Sequence, residues 1–291
     1  MGKKPKTQQP KGTCVFCGRS PPEIQMSKEH IWSDWLQDVL PRYGTRTEAF
    51  TTDLLKKPHT IQVKQGDVST KKVRVVCTEC NGGWMSGIVN KAKPIAAKLI
   101  SGEELQLDAG AQQALANWLG LAALMANQTT KSEHKIPKSD VDYFYNNCSV
   151  PPHWVVGIGH FQGTPSVCFN HSPFAIRELD TNTQQESAAF AKHAFASVIG
   201  RLFTLVDVEV NLNGRYPLPF GGVPAERVYR PYVVSLQPTF SPTLRFPFIQ
   251  AITGGPGAAH FFPGTLAFEV AQRGVTLIRQ ALERAGVQYV P

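Results

Sequence analysis

The sequence predicts an α+β protein in which a small cysteine-held module precedes a larger region of mixed helices and strands. Three observations carry that expectation. Four of the six cysteines form two C-x-x-C pairs, "CVFC" at 14–17 and "CTEC" at 77–80. The apolar pattern then changes along the chain, from the helical spacing of "AQQALANWLGLAALMAN" at 111–127 to β-type runs such as "HWVVGIGHF" and "PSVCFNHSPFAI" after residue 150. Charge divides earlier, near residue 100: residues 1–100 hold 17 Lys and Arg against 8 Asp and Glu, a net of +9, whereas the remainder carries −1.

With 291 residues, the chain is long enough for one large or two modest domains. The expected organisation is a flexible basic arm at 1–11, a cysteine-held module at 12–102, and a mixed α/β domain at 103–291 with a further boundary near 150. No apolar run approaches the roughly 18 residues needed to span a bilayer, and "MGKKPKTQQPKG" lacks the apolar segment of a signal peptide. The expected setting is therefore cytoplasmic, away from membranes. A cationic module beside a neutral domain suggests a polyanionic partner, most simply nucleic acid, or else a basic surface kept for solubility.

Local signals place the elements. "GTCVFCG" reads as a tight-turn knuckle in which Gly18 supplies a permissive backbone. "SDWLQDVL" at 33–40 is predicted as a short helix capped by Ser33 or Asp34 and ended by Pro41. Residues 43–72 are polar with β-type fragments such as "HTIQV", an inserted hairpin or loop. "KKVRVVC" is a strand that delivers Cys77. A helix then runs from 80 to 100, weakened by Gly82 and Gly83 and kinked or restarted at Pro94. "SGEELQLDAG" reads as a polar link and "SDVDYFYNN" as a short helix capped by Ser139 or Asp140. Beyond 150, "ESAAFAKHAFASVIGRLF" is predicted as a helix, "FTLVDVEV" and "YRPYVVSL" as strands, 237–264 as irregular, and 264–286 as a closing helix. His153, His160, His171 and His193 show no metal-ligand spacing and read as structural, and Cys148 and Cys168 as free thiols.

In a chain without a secretion signal, paired C-x-x-C spacing points to zinc before disulfides. Two residues between thiolates let both reach one tetrahedral ion, so Cys14, Cys17, Cys77 and Cys80 form a candidate closed site. The 59 residues between Cys17 and Cys77 exceed a compact zinc ribbon, which implies a sizeable insertion.

Between the knuckles lies "KEHIWSDWL", a carboxylate beside a histidine. The order Cys14 and Cys17, "EHI" at 29–31, then "VVCTECN" at 75–81 resembles the HNH nucleases of the ββα-metal type, in their zinc-stabilised branch. The resemblance covers about residues 12–95. It implies a structural Zn²⁺ on the four cysteines, a catalytic Mg²⁺ or Mn²⁺ held by Glu29 and Asn81, and His30 as general base. Residue chemistry is consistent with those roles, since a hard cation seeks oxygen ligands and a neutral imidazole can take a proton from water. This sequence departs from the family pattern at three places: "STKKVRVVC" has no asparagine before the second knuckle, Trp32 follows the histidine-isoleucine pair, and "GGWM" opens the helix.

The expected function is a metal-dependent endonuclease acting on nucleic acid, DNA by family habit. Lys28, Arg74, Lys91 and Lys93 are candidate phosphate contacts, and Trp84 either stacks on a base or packs against Trp32 or Trp35. The C-terminal region would supply target choice, a protein partner or self-association. The alternatives are a zinc-binding adaptor that holds nucleic acid without cutting it, and an interaction protein in which the module only caps the larger domain.

Overall fold

The computed structural model describes residues 12–40, 48–52, 61–65, 72–129, 135–163, 166–179, 186–211, 233–237, 243–247 and 251–252. The expected basic arm at 1–11 and the closing helix at 264–286 lie outside them. Mixed helix and strand is the observed class.

The N-terminal third opens with β1 (Met26–His30) and the single turn α1 (Leu36–Val39). Trp35, not Ser33 or Asp34, takes the capping position of α1, and its side chain makes no capping hydrogen bond. β2 (Glu48–Thr52) and β3 (Ile61–Gln65) form an antiparallel hairpin within the insertion between the cysteine pairs. β4 (Lys72–Cys77) returns antiparallel to β1 and leads into α2 (Thr78–Cys80), a π-helical segment (Asn81–Met85) and α3 (Ser86–Ser101). Gly83 has non-helical angles, φ −92° and ψ −112°, so the paired glycines loosen this helix start as the sequence suggests. Pro94 does not divide the helix; α3 runs through it for 16 residues.

The remainder is organised by α4 (Ala109–Asn127) and a large sheet. After α5 (Lys138–Asn147) come β6 (Val155–Phe161), β7 (Ser166–Leu179), β8 (Glu186–Gly200), β9 (Leu202–Asn211) and β10 (Val233–Gln237). The strand order is β10-β6-β9-β8-β7-β2-β3, so the inserted hairpin joins this sheet through β2, parallel to β7. Two segments expected to lack structure hold short strands. The polar link contains β5 (Leu105–Asp108), which pairs with β11 (Thr243–Phe246) from the Pro- and Gly-rich stretch, where β12 (Ala251–Ile252) also adds to β6. Pro137, rather than Ser139 or Asp140, begins α5.

The largest correction is at 186–200, expected as a helix and found as β8. Alanine favours a helix by only a fraction of a kcal/mol per residue, on the order of 0.7 or less. β8 is paired along its length with β7 and over much of it with β9, and residues 193–200 are buried at every position. Two ladders plus burial on both faces outweigh that propensity.

Every residue of α4 from Trp118 to Asn127 is buried, as expected of a central helix that is apolar all round. Gly120 permits this, since a Cβ there would lie 2.3 Å from Val150 Cγ1. Trp118 also joins the N-terminal third to the sheet. Its ring centroid is 5.8 Å from those of Trp32 and Trp35, its indole N–H donates to Ser33 Oγ at 3.2 Å, and Trp32 meets Phe169 of β7 at 6.0 Å. One apolar core thus continues from the cysteine pairs to β10.

Two histidines read as scattered are in fact adjacent. His171 Nε2 lies 3.2 Å from His193 Nδ1, deep in the β7–β8 ladder, and His171 stacks on Phe195. Burial first, then the charges of His193 and Lys135, hold His171 well below the usual imidazole value. It is neutral when folded and free to protonate when unfolded, so its contribution to stability is lost as pH falls below about 6.5. Urea midpoints are expected to fall from pH 7.5 to 5.5, and less so in His171→Leu; an equal fall in both proteins would absolve this residue.

The far end of α3 is fixed against the β8–β9 turn. Arg201 N–H donates to Ile100 O at 2.9 Å, and Gly200 sits at φ +60° where a Cβ would lie 2.6 Å from that same oxygen. Gly200→Ala should therefore lower the unfolding free energy by about 2–4 kcal/mol, through backbone strain plus the clash, as read by urea denaturation.

Candidate functional site

The first knuckle is a turn in which Gly18 N–H donates to Cys14 O at 3.0 Å and Cys14 N–H to Arg19 O at 2.9 Å, with Gly18 at φ +71°. Val15 N–H donates to Val75 O at 2.9 Å and Thr78 N–H to Gln25 O at 2.8 Å, which ties the first knuckle to β4 and the second to the residue just before β1. The four sulfurs of Cys14, Cys17, Cys77 and Cys80 lie within 4.8 Å of one another and could hold a metal ion. Backbone amides support them: Cys77 N–H points to Cys14 Sγ and Cys80 N–H to Cys77 Sγ, both at 3.4 Å.

Their protonation is uneven. Burial pushes the thiols of Cys77 and Cys80 up. Burial also acts on Cys17, but the backbone and guanidinium N–H groups of Arg19, with the thiols of Cys14 and Cys77, bring it down to about 7. Arg19 also forms an ion pair with Glu79, so one cation bridges the two knuckles. Both partners are exposed, and the pair by itself adds little stability.

β1 and β4 carry the next layer. The ladder begins at Met26↔Cys77, beside the sulfurs, and closes at His30↔Lys72. Between Ser27↔Val76 and Glu29↔Val73, β1 advances two residues while β4 advances three, which is a β-bulge. Bulges bend a strand and re-aim its side chains. A regular strand turns neighbouring residues to opposite faces; the bulge lies before Glu29 and His30, which pair on successive rungs with Val73 and Lys72, and the strand ends at His30.

Asn81, the residue after Cys80, faces this strand. Its Nδ2 donates to Ser27 Oγ at 2.9 Å, and its amide lies near enough to Glu29 to favour the carboxylate form. Ser86 Oγ donates to Asn81 O at 2.7 Å and steadies the π-helical segment. Glu29 and His30 are both half-buried, and both lie in the fields of Lys72 and Asp34. Burial raises the Glu29 pKa; the Asn81 amide opposes this, Asp34 adds to it, and Lys72 opposes it. Burial and then Lys72 lower the His30 pKa, with Asp34 acting the other way. His30 is thus held toward the neutral imidazole.

The structure places the remaining candidates as follows. Lys28, Arg74, Lys91 and Lys93 are exposed, and Lys93 Nζ lies 5.8 Å above the Trp35 ring. Trp84 packs, but not on Trp32 or Trp35. Its neighbours are Phe16 at 4.8 Å, edge to face, and Phe144 and Tyr145 at 6.0 and 5.8 Å, so α5 covers the second knuckle. The indole of Trp84 also favours the thiolate of Cys80. Sequence reasoning missed Ser27, Arg19 and Glu79, whose roles come from register and turn geometry that no residue pattern announces.

Compared with protein-family models, curated proteins and solved structures, the chain matches none.

The raised Glu29 pKa has a testable consequence. A carboxyl whose folded value lies above its unfolded value contributes stability below about pH 4.3, and that contribution is lost as pH rises through the folded value. Without added Mg²⁺ or Mn²⁺, Glu29→Gln should raise Tm at pH 7 by about 1–3 °C. A lower Tm would contradict the burial argument.

Proposed function

We propose that this chain is a metal-dependent endonuclease whose ββα module is tied together by zinc. The observation that carries the proposal is the meeting of Glu29, from β1, with Asn81, from the helix start, beside His30 at the closing rung of β1 and β4. These are the three residues that the resemblance to zinc-stabilised HNH nucleases singles out.

The sulfur spacing suits zinc. A tetrahedral ion with Zn–S distances of about 2.3 Å separates its sulfurs by about 3.8 Å, and Cys17 Sγ lies 3.8 Å from Cys77 Sγ. The second ion implied by the resemblance also finds a fitting donor set. Asn81 commits its Nδ2 to Ser27, which leaves Oδ1, with the Glu29 carboxylate nearby, for a hard cation. Such an ion would neutralise the scissile phosphate and the departing oxygen.

The chain's own groups supply the rest. His30, kept toward its neutral form by burial and Lys72, can take the proton of an attacking water. From the helix start, Asn81 favours the carboxylate form of Glu29. Exposed Lys28, Arg74, Lys91 and Lys93 offer positive charge to a nucleic-acid backbone; DNA is favoured over RNA by the resemblance alone. The adaptor reading has one observation in its favour, namely that Lys72 stands opposite His30 in a strand that holds no asparagine.

A plasmid-nicking assay with Mg²⁺ and Mn²⁺ tests the proposal. The parent should nick, with a rate that rises through a pKa below 6.5, and His30→Ala should lose about 10²–10⁴-fold. Equal cleavage by both would remove His30 from the chemistry, and no cleavage by the parent would favour the adaptor. Metal analysis should find one zinc per chain, lost together with folding in Cys77→Ser.

A further inference from the structure

We infer that Lys72, the cross-strand partner of His30 on the last rung of the β1–β4 ladder, grips the backbone phosphate of a nucleic acid seated at Glu29 and His30. The inference deepens the endonuclease proposal, but the contact itself does not depend on cleavage.

Three features of the structure carry it. The register places the Cα of Lys72 directly opposite His30, so its side chain leaves the sheet at the edge of the site. Lys72 is exposed, and among the described residues it enters no ion pair or hydrogen bond. Its ammonium is nevertheless close enough to act on both Glu29 and His30. A cation kept beside an acid and an imidazole, yet committed to neither, is available to an anion that arrives between them.

The bulge adds a second reason. Lys28 lies in the interval where β4 carries its extra residue, across from Arg74 and Val75, and both Lys28 and Arg74 are exposed. Three cations, Lys28, Lys72 and Arg74, thus flank the end of a two-stranded ladder. Lys72 differs from the other two in standing on the rung of His30. Lys28 and Arg74 are placed to hold flanking phosphates, and Lys72 to hold the one that faces the imidazole and the carboxylate. A phosphate bound there would also draw the ammonium away from Glu29, leaving that carboxylate free for a cation.

The experiment measures binding of a short labelled DNA duplex in buffer free of Mg²⁺ and Mn²⁺, at salt from about 50 to 200 mM. Parent, Lys72→Ala, Lys72→Arg and the control Lys98→Ala, on the last turn of α3, are compared, with zinc content and circular dichroism confirming the fold. Loss of one phosphate contact should reduce the slope of log K against log salt by about 0.9 in Lys72→Ala, with the parent slope regained in Lys72→Arg and kept in Lys98→Ala. A Lys72→Ala slope equal to the parent's overturns the inference, as does a parent that fails to bind the duplex. Nicking of plasmid by the same proteins separates the two proposals: a reduced slope without cleavage by the parent upholds the phosphate grip and removes the endonuclease, and cleavage with an unchanged slope does the reverse.

Discussion

Cys17 and Cys77 stand 60 residues apart in the chain with their sulfurs 3.8 Å apart, and the geometry of the site follows from that closure. Closing a loop of this length costs roughly 4 kcal/mol of chain entropy, besides the ordering of the knuckles themselves. Three of the four thiols are buried, two of them with their pKa pushed up by burial, so the reduced, metal-free cluster is a poor source of compensation. A structural zinc ion binds with about 10–16 kcal/mol, far more than the loop term. On the zinc reading, the ion determines that β1 and β4 meet in the observed register.

Once that register exists, the rest of the site is local. Met26 pairs with Cys77, the bulge follows, and the strand ends at His30 opposite Lys72. Cys80 is followed at once by Asn81, so the residue next to the sulfurs is also the one that bonds Ser27 and lies near Glu29. Burial of Glu29 and His30 disfavours the charged form of both. For a carboxylate that is a cost to stability, which on the nuclease reading a bound cation would relieve; for a histidine it favours the neutral form that this reading requires of a base. The tryptophans behind this layer transmit its position to the sheet, because Trp118 touches Trp32 and Trp35, and Trp32 touches Phe169.

How much of this was legible in the sequence depends on whether identity or context decides. The four cysteines announce themselves because two residues between thiolates is a constraint of the ion, independent of fold. The strands β4, β6, β7, β9 and β10 and the helix α4 follow from apolar periodicity. β8 does not, since its alanines suit a helix and only two neighbouring ladders make it a strand. β5 and β11 were missed because each is short and gains its structure from a partner more than 130 residues away. Within the site, Glu29, His30 and Asn81 were marked by resemblance. Ser27 and Lys72 were not, because a serine that receives an amide and a lysine opposite a histidine acquire meaning only through register.

The zinc-edge X-ray absorption spectrum of the purified chain tests the central claim most directly, since it reads the ligands of the ion without reference to activity. Four sulfurs at about 2.3 Å are expected, with no nitrogen or oxygen in the shell. A shell of nitrogen and oxygen, or two sulfurs with solvent, would mean that the knuckles do not share one ion, and the closure that brings Asn81 to the strand of Glu29 and His30 would lose its cause.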